Sequence, residues 1–215
     1  MPLENAFNGW ESIAAAFAAA RSEIGSDVAR SWVTRLFPGG AVLDLGCGSG
    51  YPIASAITEL GYEVFGIDAS PTLVSMFRSR LRAARVACET VQDSAFFGRT
   101  FDGVVAVGLM FLLSADDQGQ LIGKVGKALE PGGRFLFSAP RQRCTWNDMQ
   151  TGQPSLSLGQ VEYERLLAEA HMRLMGTYVD EGGNDYIDAE RYDTTRFCEI
   201  DRLNSSQPLP SSVTS

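Results

Sequence analysis

The feature that most constrains this 215-residue chain is an apolar run that ends in a glycine-rich turn. Residues 42–45 read Val-Leu-Asp-Leu, and residues 46–50 read Gly-Cys-Gly-Ser-Gly. An apolar run without regular alternation is typical of a strand that is buried on both faces in a parallel sheet. The glycines allow a tight turn and a close approach of a ligand to the backbone. Because a helix is predicted next, over Ile53–Leu60, we interpret the turn as a site for a nucleotide-like cofactor rather than as a purely structural connection.

Downstream of this turn, predicted strands alternate with predicted helices. The strands fall at Tyr62–Asp68, Arg85–Val91, Thr100–Gly108, Arg134–Ala139, Met172–Asp180 and Asp185–Ala189. Helices are predicted between them at 71–83, 115–129 and 160–171. This alternation indicates βαβ units in a parallel sheet with right-handed crossovers, so the expected fold class is α/β.

Three segments lie outside this alternation. Two helices are predicted over 10–20 and 27–37, with Ser26 as the cap of the second. Residues 140–159 show no periodicity and follow the carboxyl end of a strand, where open α/β sheets bind ligands, so we expect a loop that covers the substrate. The Ser/Pro-rich stretch 204–215 is predicted to be disordered.

Charge and cysteine usage limit the classes of partner. The chain carries 18 Lys and Arg against 26 Asp and Glu, a net charge of −8, which disfavours nucleic acid as the main partner. Its four cysteines are widely spaced and it has one histidine, so neither a metal site nor a disulfide framework is predicted. No apolar run reaches the roughly 20 residues of a membrane span. We therefore expect a cytoplasmic protein without a membrane partner.

Acidic residues occur beside the ends of three successive predicted strands. Asp44 precedes the glycines, Asp68 ends the second strand, and Asp93 with Ser94 follows the third. A carboxylate at Asp68 can accept hydrogen bonds from both ribose hydroxyls, and one at Asp93 can accept from an adenine amino group. The turn reads G-x-G-x-G rather than the G-x-G-x-x-G of dinucleotide-binding proteins, which weakens the hypothesis of a nicotinamide-dependent enzyme.

Together these motifs resemble those of the class I S-adenosylmethionine-dependent methyltransferases. The resemblance extends over residues 41–140, with the motifs in the family's order. They are Val42 to Gly50, Phe65 to Pro71, Gln92 to Ser94, Phe101 to Val105 and Leu129 to Gly133. It implies a Rossmann-like three-layer α/β/α sandwich with a mostly parallel seven-stranded sheet whose last strand is antiparallel.

The resemblance also implies which residues bind S-adenosyl-L-methionine and its product S-adenosyl-L-homocysteine. Asp44 belongs to the glycine motif, in which Gly46, Cys47 and Gly48 would contact the methionyl part. Asp68 would bind the ribose, Ala69 would pack on the adenine, and Asp93 and Ser94 would contact the adenine edge. Val107 and Gly108 would lie beside the sulfonium, and Arg21 is a candidate to bind the carboxylate.

The acceptor side is predicted from regions outside the motifs. Residues 1–40 are expected to form part of the substrate cover, and 41–203 the methyltransferase domain. The candidate wall residues are Trp10, Phe17, Met110, Phe111 and Trp146. Asp148 and Glu181 are the candidate general bases, because both occur in loops at the predicted ligand edge.

The predicted function is transfer of a methyl group to an O or N atom of a small molecule by a monomer or homodimer. Two alternatives stay open. One is a protein side-chain methyltransferase, and the other is a non-catalytic protein that binds S-adenosylmethionine, because a fold does not fix a function.

Overall fold

The computed structural model describes residues 10–192, so the predicted disordered stretch 204–215 lies outside the described residues. Six α-helices occur in this range: α1 (Trp10–Ala20), α2 (Ser26–Val33), α3 (Ile53–Glu59), α4 (Pro71–Arg80), α5 (Ala115–Ala128) and α6 (Gln160–Glu169). Nine strands accompany them: β1 (Ala41–Leu45), β2 (Glu63–Asp68), β3 (Arg85–Cys88), β4 (Phe101–Ala106), β5 (Leu129–Ser138), β6 (Cys144–Asn147), β7 (Pro154–Ser157), β8 (Met172–Val179) and β9 (Asp185–Arg191).

Seven strands form one sheet in the order β3-β2-β1-β4-β5-β9-β8. Strands β1 to β5 pair in parallel, and β9 pairs antiparallel with both β5 and β8. The predicted mostly parallel seven-stranded sheet with an antiparallel last strand is therefore confirmed. The chain reverses its direction in the turn from β8 to β9. The Asp180 carboxylate stabilises this turn by accepting hydrogen bonds from the backbone N–H groups of Gly182 and Asn184, both at 2.9 Å.

Strand β1 lies at the centre of the sheet and is buried along its whole length. Leu43 and Leu45 pack into the core on the side of α5 and α6. Val42 packs into the opposite core with residues of α2, α3 and α4. Because helices cover both faces of the strand, the apolar run without alternation is explained, and the molecule has the predicted three α/β/α layers.

The helix starts follow local capping chemistry. The Ser70 hydroxyl accepts the backbone N–H of Leu73 at 3.1 Å, and Pro71 occupies the first position of α4. Helix α2 differs from the prediction, because Gly25 is its cap in a left-handed conformation (φ 87°) and Ser26 is the first helical residue. The Glu181 side chain accepts the Gly25 N–H at 3.2 Å, at the residue that precedes the helix.

Residues 140–159 do not form the irregular loop that was expected. Strands β6 and β7 pair antiparallel as a separate two-stranded sheet. Tertiary contacts hold this hairpin: the Trp146 ring lies 5.3 Å from that of Phe111, and the Gln118 side-chain amide donates to the Leu156 carbonyl at 3.0 Å. The sequence pattern misses the hairpin because the residues on which it packs, Phe111 and Gln118, are far away in the chain. Within residues 10–192, no helix is long and apolar enough to span a membrane.

Candidate functional site

The turn after β1 is folded back onto the end of β2. The backbone N–H groups of Gly46 and Cys47 both donate to the Ile67 carbonyl, at 2.8 and 3.0 Å. Gly46 and Gly48 adopt positive φ angles of 68° and 54°, a region that favours glycine. A Cβ on Gly48 would meet no protein atom within 4 Å, because this backbone faces open space.

That open space is a cavity of about 310 Å³ at the carboxyl ends of β1, β2 and β4. We call it the cleft. Its volume is at the lower end of the range typical of small-ligand sites. The cleft brings together the following residues that the sequence predicted for the site: Trp10, Phe17, Arg21, Asp44, Gly46, Cys47, Gly48, Asp68, Ala69, Val107, Gly108, Phe111 and Asp148.

Asp68 connects the glycine turn to helix α4. One carboxylate oxygen accepts the backbone N–H of Gly48 and the other accepts that of Ser70, both at 2.8 Å. Burial raises the pKa of this carboxyl, and the two hydrogen bonds oppose the rise. Each carboxylate oxygen has a second lone pair, so Asp68 can still accept hydrogen bonds from a ligand in the cleft.

Asp44 lies deeper in the cleft and has fewer partners. It is 2% exposed, and its Oδ2 atom has no hydrogen-bond partner in the described part of the chain. Burial raises the pKa of the carboxyl to about 8, the charge of Asp68 adds to the rise, and Arg21 opposes it. An unsatisfied buried carboxyl oxygen costs stability, so a group from a ligand that bonds to it would be favoured.

Cys47 is the remaining titratable group of the turn. Its thiol is buried against Gly66, and burial raises its pKa well above the usual value for cysteine. A thiol that stays protonated is a poor nucleophile, which indicates a packing role for this side chain.

Helix α1 forms one wall of the cleft. The rings of Trp10 and Phe17 meet edge to face at 4.9 Å, and the Arg21 guanidinium lies 5.6 Å from the Phe17 ring. Glu11 fixes this helix to the start of α4, because its carboxylate accepts hydrogen bonds from the hydroxyls of Ser70 and Thr72. The wall is therefore attached to the same turn that Asp68 holds.

The residues predicted for the adenine edge lie beside the cleft rather than in its lining. Asp93 and Ser94 do not line the cleft, whereas Thr90, Val91 and Gln92 do. Strand β3 ends at Cys88, three residues before its predicted end, so the turn that follows is displaced. Within that turn Asp93 bonds to the Thr90 hydroxyl at 2.8 Å, and the buried Ser94 hydroxyl accepts the Phe96 N–H at 2.9 Å.

Lys124 of α5 supports the segment that lines the cleft in place of Asp93. Its ammonium donates to the carbonyls of Val91 and Gln92, each at 3.0 Å. It also lies 4.5 Å from the centre of the Phe96 ring. These contacts fix the backbone of Val91 and Gln92 at the cleft.

Three other predicted site residues also lie outside the cleft. Met110 is fully buried in the core beside α5. Trp146 of the hairpin packs on Phe111, and the Glu181 carboxylate accepts the backbone N–H of Gly25 before α2. A side chain one residue away along a turn faces another direction, which is why Phe111 lines the cleft and Met110 does not.

Asp148 does line the cleft, and its carboxylate organises the tip of the hairpin. Its Oδ1 atom accepts the backbone N–H groups of Gln150 and Thr151, at 3.0 and 2.8 Å, and the Thr151 hydroxyl at 2.9 Å. Within residues 10–192, no group of three or more His, Cys, Asp or Glu side chains is arranged to hold a metal ion.

Sequence reasoning missed other lining residues, among them Tyr51, Leu73, Thr90, Val91, Gln92, Leu112, Leu113 and Gln150. Tyr51 directly follows the glycine turn, and Leu112 follows the fourth predicted strand. Their positions next to strand ends are the signal in the sequence by which they could have been found. The sequence does not show in which direction each side chain points.

Comparison with known proteins identifies the domain. The family described as "Methyltransferase domain" matches residues 42–133. A ubiquinone biosynthesis O-methyltransferase of Mesorhizobium japonicum is 32% identical over 113 residues, 51% of this chain and 44% of that protein. A cypemycin N-terminal methyltransferase of a Streptomyces species is 34% identical over 108 residues, 48% of this chain and 44% of that protein. These matches span less than half of the relatives' length.

Solved structures share the fold. The 1,6-didemethyltoxoflavin-N1-methyltransferase of Burkholderia thailandensis superposes with a TM-score of 0.72 at 20% identity, covering 90% of this chain and 91% of that one. A glycopeptide N-methyltransferase in complex with S-adenosylhomocysteine gives a TM-score of 0.63 at 20% identity, covering 82% and 96%. Residues 42–133 thus match a methyltransferase domain, and the whole architecture shares the fold of these solved structures.

Proposed function

We propose that this protein binds S-adenosyl-L-methionine in the cleft and transfers its methyl group to an O or N atom of a small molecule. The observation that carries the proposal is that Asp44, the glycine turn and Asp68 line one cavity in a matched methyltransferase domain. When bound, S-adenosylmethionine supplies an electrophilic methyl group on its sulfonium. The protein then needs chiefly to hold a nucleophile in line with it.

The cleft fits the cofactor in two ways. Added Cβ atoms on Gly48 and Gly108 would meet no protein atom within 4 Å, so glycine leaves space at both positions. The orphaned Oδ2 of Asp44 offers a buried acceptor for a cationic group. In our assignment Asp44 and Arg21 hold the ammonium and carboxylate of the methionyl part. Gly46, Cys47 and Gly48 contact the rest of it.

The adenosine part is assigned to the ends of β2 and β3. Asp68 accepts the ribose hydroxyls, and Ala69 packs on the adenine. We assign Val91 and Gln92 to the adenine edge in place of Asp93 and Ser94, because Val91 and Gln92 line the cleft. Val107 and Gly108 flank the reacting sulfur.

The acceptor is assigned to the wall made by Trp10, Phe17 and Phe111, whose apolar rings favour a planar or apolar molecule. Asp148 lies at the tip of the hairpin whose Trp146 packs on Phe111, and the described hydrogen bonds of its carboxylate all end on Oδ1. We assign it to orient an N–H or O–H of the acceptor, and to take the proton where the nucleophile must lose one.

Two measurements test the proposal. Calorimetry is expected to detect micromolar binding of S-adenosylmethionine or S-adenosylhomocysteine. Methyl-labelled cofactor is then screened against phenols, amines and nitrogen heterocycles, with transfer expected to one of these classes. Absence of cofactor binding would overturn the proposal, whereas binding without transfer to any acceptor would support a non-catalytic binding protein.

A peptide acceptor is the second candidate. It is favoured by the 34% identity to a methyltransferase named for a peptide N-terminus. Including short peptides with free α-amino groups in the same screen separates the two, because a small-molecule enzyme should leave them unlabelled.

A further inference from the structure

Asp44 is the most isolated acid in the cleft. Its carboxyl is 2% exposed, and its Oδ2 atom has no hydrogen-bond partner among residues 10–192. It nevertheless lines the cavity, so a ligand that enters can reach it. A buried carboxyl without a partner is more stable in its neutral form, because ionisation there is not compensated by hydrogen bonds.

The charged groups around Asp44 act in opposite directions. Asp68 at the end of β2 carries a like charge that disfavours ionisation, and Arg21 after α1 carries an opposite charge that favours it. Cys47 in the turn holds a thiol that remains protonated. With burial as the largest effect, the pKa of Asp44 is about 8, so this carboxyl is mostly protonated at pH 7.

We propose that binding of the cofactor's α-ammonium group to Asp44 releases a proton from the Asp44 carboxyl, so that cofactor binding in this protein is coupled to pH. The inference rests on the proposed function. The reaction balances simply: a neutral carboxyl and an ammonium form a carboxylate–ammonium pair, and one proton leaves to solvent. The incoming cation supplies the charge and the hydrogen bond that the ligand-free carboxyl lacks.

The coupling has a direction. Below the pKa of ligand-free Asp44, the cofactor binds more tightly as pH rises, because the bound state holds fewer protons than the ligand-free state. The dissociation constant of S-adenosylmethionine is therefore expected to fall about tenfold between pH 6 and pH 7. The window ends near pH 7.5, because a free α-amino group itself loses its proton at about pH 7.7–8.0.

Calorimetry of the full chain at pH 7, in phosphate and in Tris, measures the released proton. These buffers differ in ionisation enthalpy, so a binding enthalpy that differs between them reports proton release. We expect close to one proton per S-adenosylmethionine bound. The same enthalpy in both buffers would overturn the inference while leaving cofactor binding, and thus the proposed function, intact. Absence of binding would remove both.

The ligand 5′-methylthioadenosine locates the coupling within the cofactor. It keeps the adenosine and the sulfur but lacks the amino acid part, so we expect it to bind without proton release. Release equal to that of S-adenosylmethionine would assign the proton to the adenosine side, near Asp68, and overturn the inference. This comparison uses the unaltered protein and does not depend on the folding of a variant.

A pair of variants assigns the proton to one side chain. Asp44→Asn keeps the shape of the residue without the titrating group, and we expect proton release to be lost and the pH dependence of the dissociation constant to flatten. The matched control is Asp116→Asn, an exposed acid of α5 outside the cleft, which should retain both. Undiminished release from a folded Asp44→Asn protein would contradict the assignment.

Discussion

Asp44 and Asp68 lie at the carboxyl ends of neighbouring strands, yet their carboxylates have different surroundings. Asp68 holds two backbone N–H groups, one in the glycine turn and one at the start of α4. Asp44 has an oxygen without a partner in the described residues and is almost fully buried. Asp68 therefore organises the glycine turn, whereas Asp44 keeps an oxygen that a ligand can use.

Replacing Asp68 by Ala is expected to weaken binding of S-adenosylhomocysteine by about 1.5–3 kcal/mol, because a charged hydrogen-bond acceptor is removed. Titration calorimetry measures the loss. Asp93→Ala serves as the control, since Asp93 bonds within its own turn outside the cleft, and it should leave affinity nearly unchanged. Equal losses in both variants would restore the original adenine-edge assignment of Asp93.

Asp44 is also expected to give the ligand-free protein a pH-dependent stability. Its folded pKa of about 8 is raised above the ordinary carboxyl value. Between these pH values the unfolded chain releases the proton and the folded chain keeps it, so stability falls as pH rises. Asp44→Asn is expected to remove this loss in the free energy of unfolding, which is on the order of 2–4 kcal/mol at pH 7.

Urea denaturation at pH 4 and pH 7.5 tests this expectation through the difference between the two proteins. The free energy of unfolding of Asp44→Asn relative to the natural protein should increase with pH. A constant difference between the two pH values would show that Asp44 is ionised in the folded state.

At the scale of elements, helix α1 is the least embedded wall of the cleft. Ala14 is its one fully buried residue. Glu11 contributes to its attachment to the domain, because the Glu11 carboxylate accepts hydrogen bonds from Ser70 and Thr72 at the start of α4. Those two hydrogen bonds lower the pKa of Glu11, with Ser70 as the larger cause. The contribution to docking is thus present above the ordinary carboxyl pKa and is lost as pH falls through the lowered one.

Glu11→Gln is therefore expected to loosen α1 without unfolding the domain. Hydrogen exchange of the amides in 10–20 should become a few-fold faster at pH 7, as for the loss of about 1 kcal/mol of hydrogen bonding, and bound S-adenosylhomocysteine should dissociate faster. Glu23→Gln, an exposed acid just after α1, provides the comparison. If both variants exchange and dissociate like the natural protein, Glu11 does not hold the wall.

At the scale of the whole molecule, one buried acid connects a helix to three strands. Asp188 of β9 is fully buried and accepts hydrogen bonds from Trp32 of α2 at 3.0 Å and Tyr178 of β8 at 2.9 Å. Arg134 of β5 pairs with it at 2.5 Å. The arrangement fixes α2 against the antiparallel end of the sheet, far along the chain from the glycine turn.

Removing this acid should be costly. Asp188→Ala leaves the Arg134 charge buried without its partner, so we expect a loss of about 3–5 kcal/mol in the free energy of unfolding by urea. Glu190→Ala on the same strand breaks a more exposed pair with Arg173, for which a loss of at most about 1 kcal/mol is expected. Similar losses in the two variants would mean that the buried network contributes no special stability.

The sequence by itself determined the order of the strands and helices, the parallel sheet, and the positions of Asp44, Asp68 and the glycine turn at its carboxyl edge. These follow from local pattern, since burial on both faces selects an apolar strand and positive φ angles select glycine. Tertiary structure decided which neighbours of each strand end face the cleft, the hairpin at 140–159, and the attachment of Glu11 to Ser70. Such contacts join residues far apart in the chain, and a one-residue shift along a turn redirects a side chain, so no local pattern encodes them.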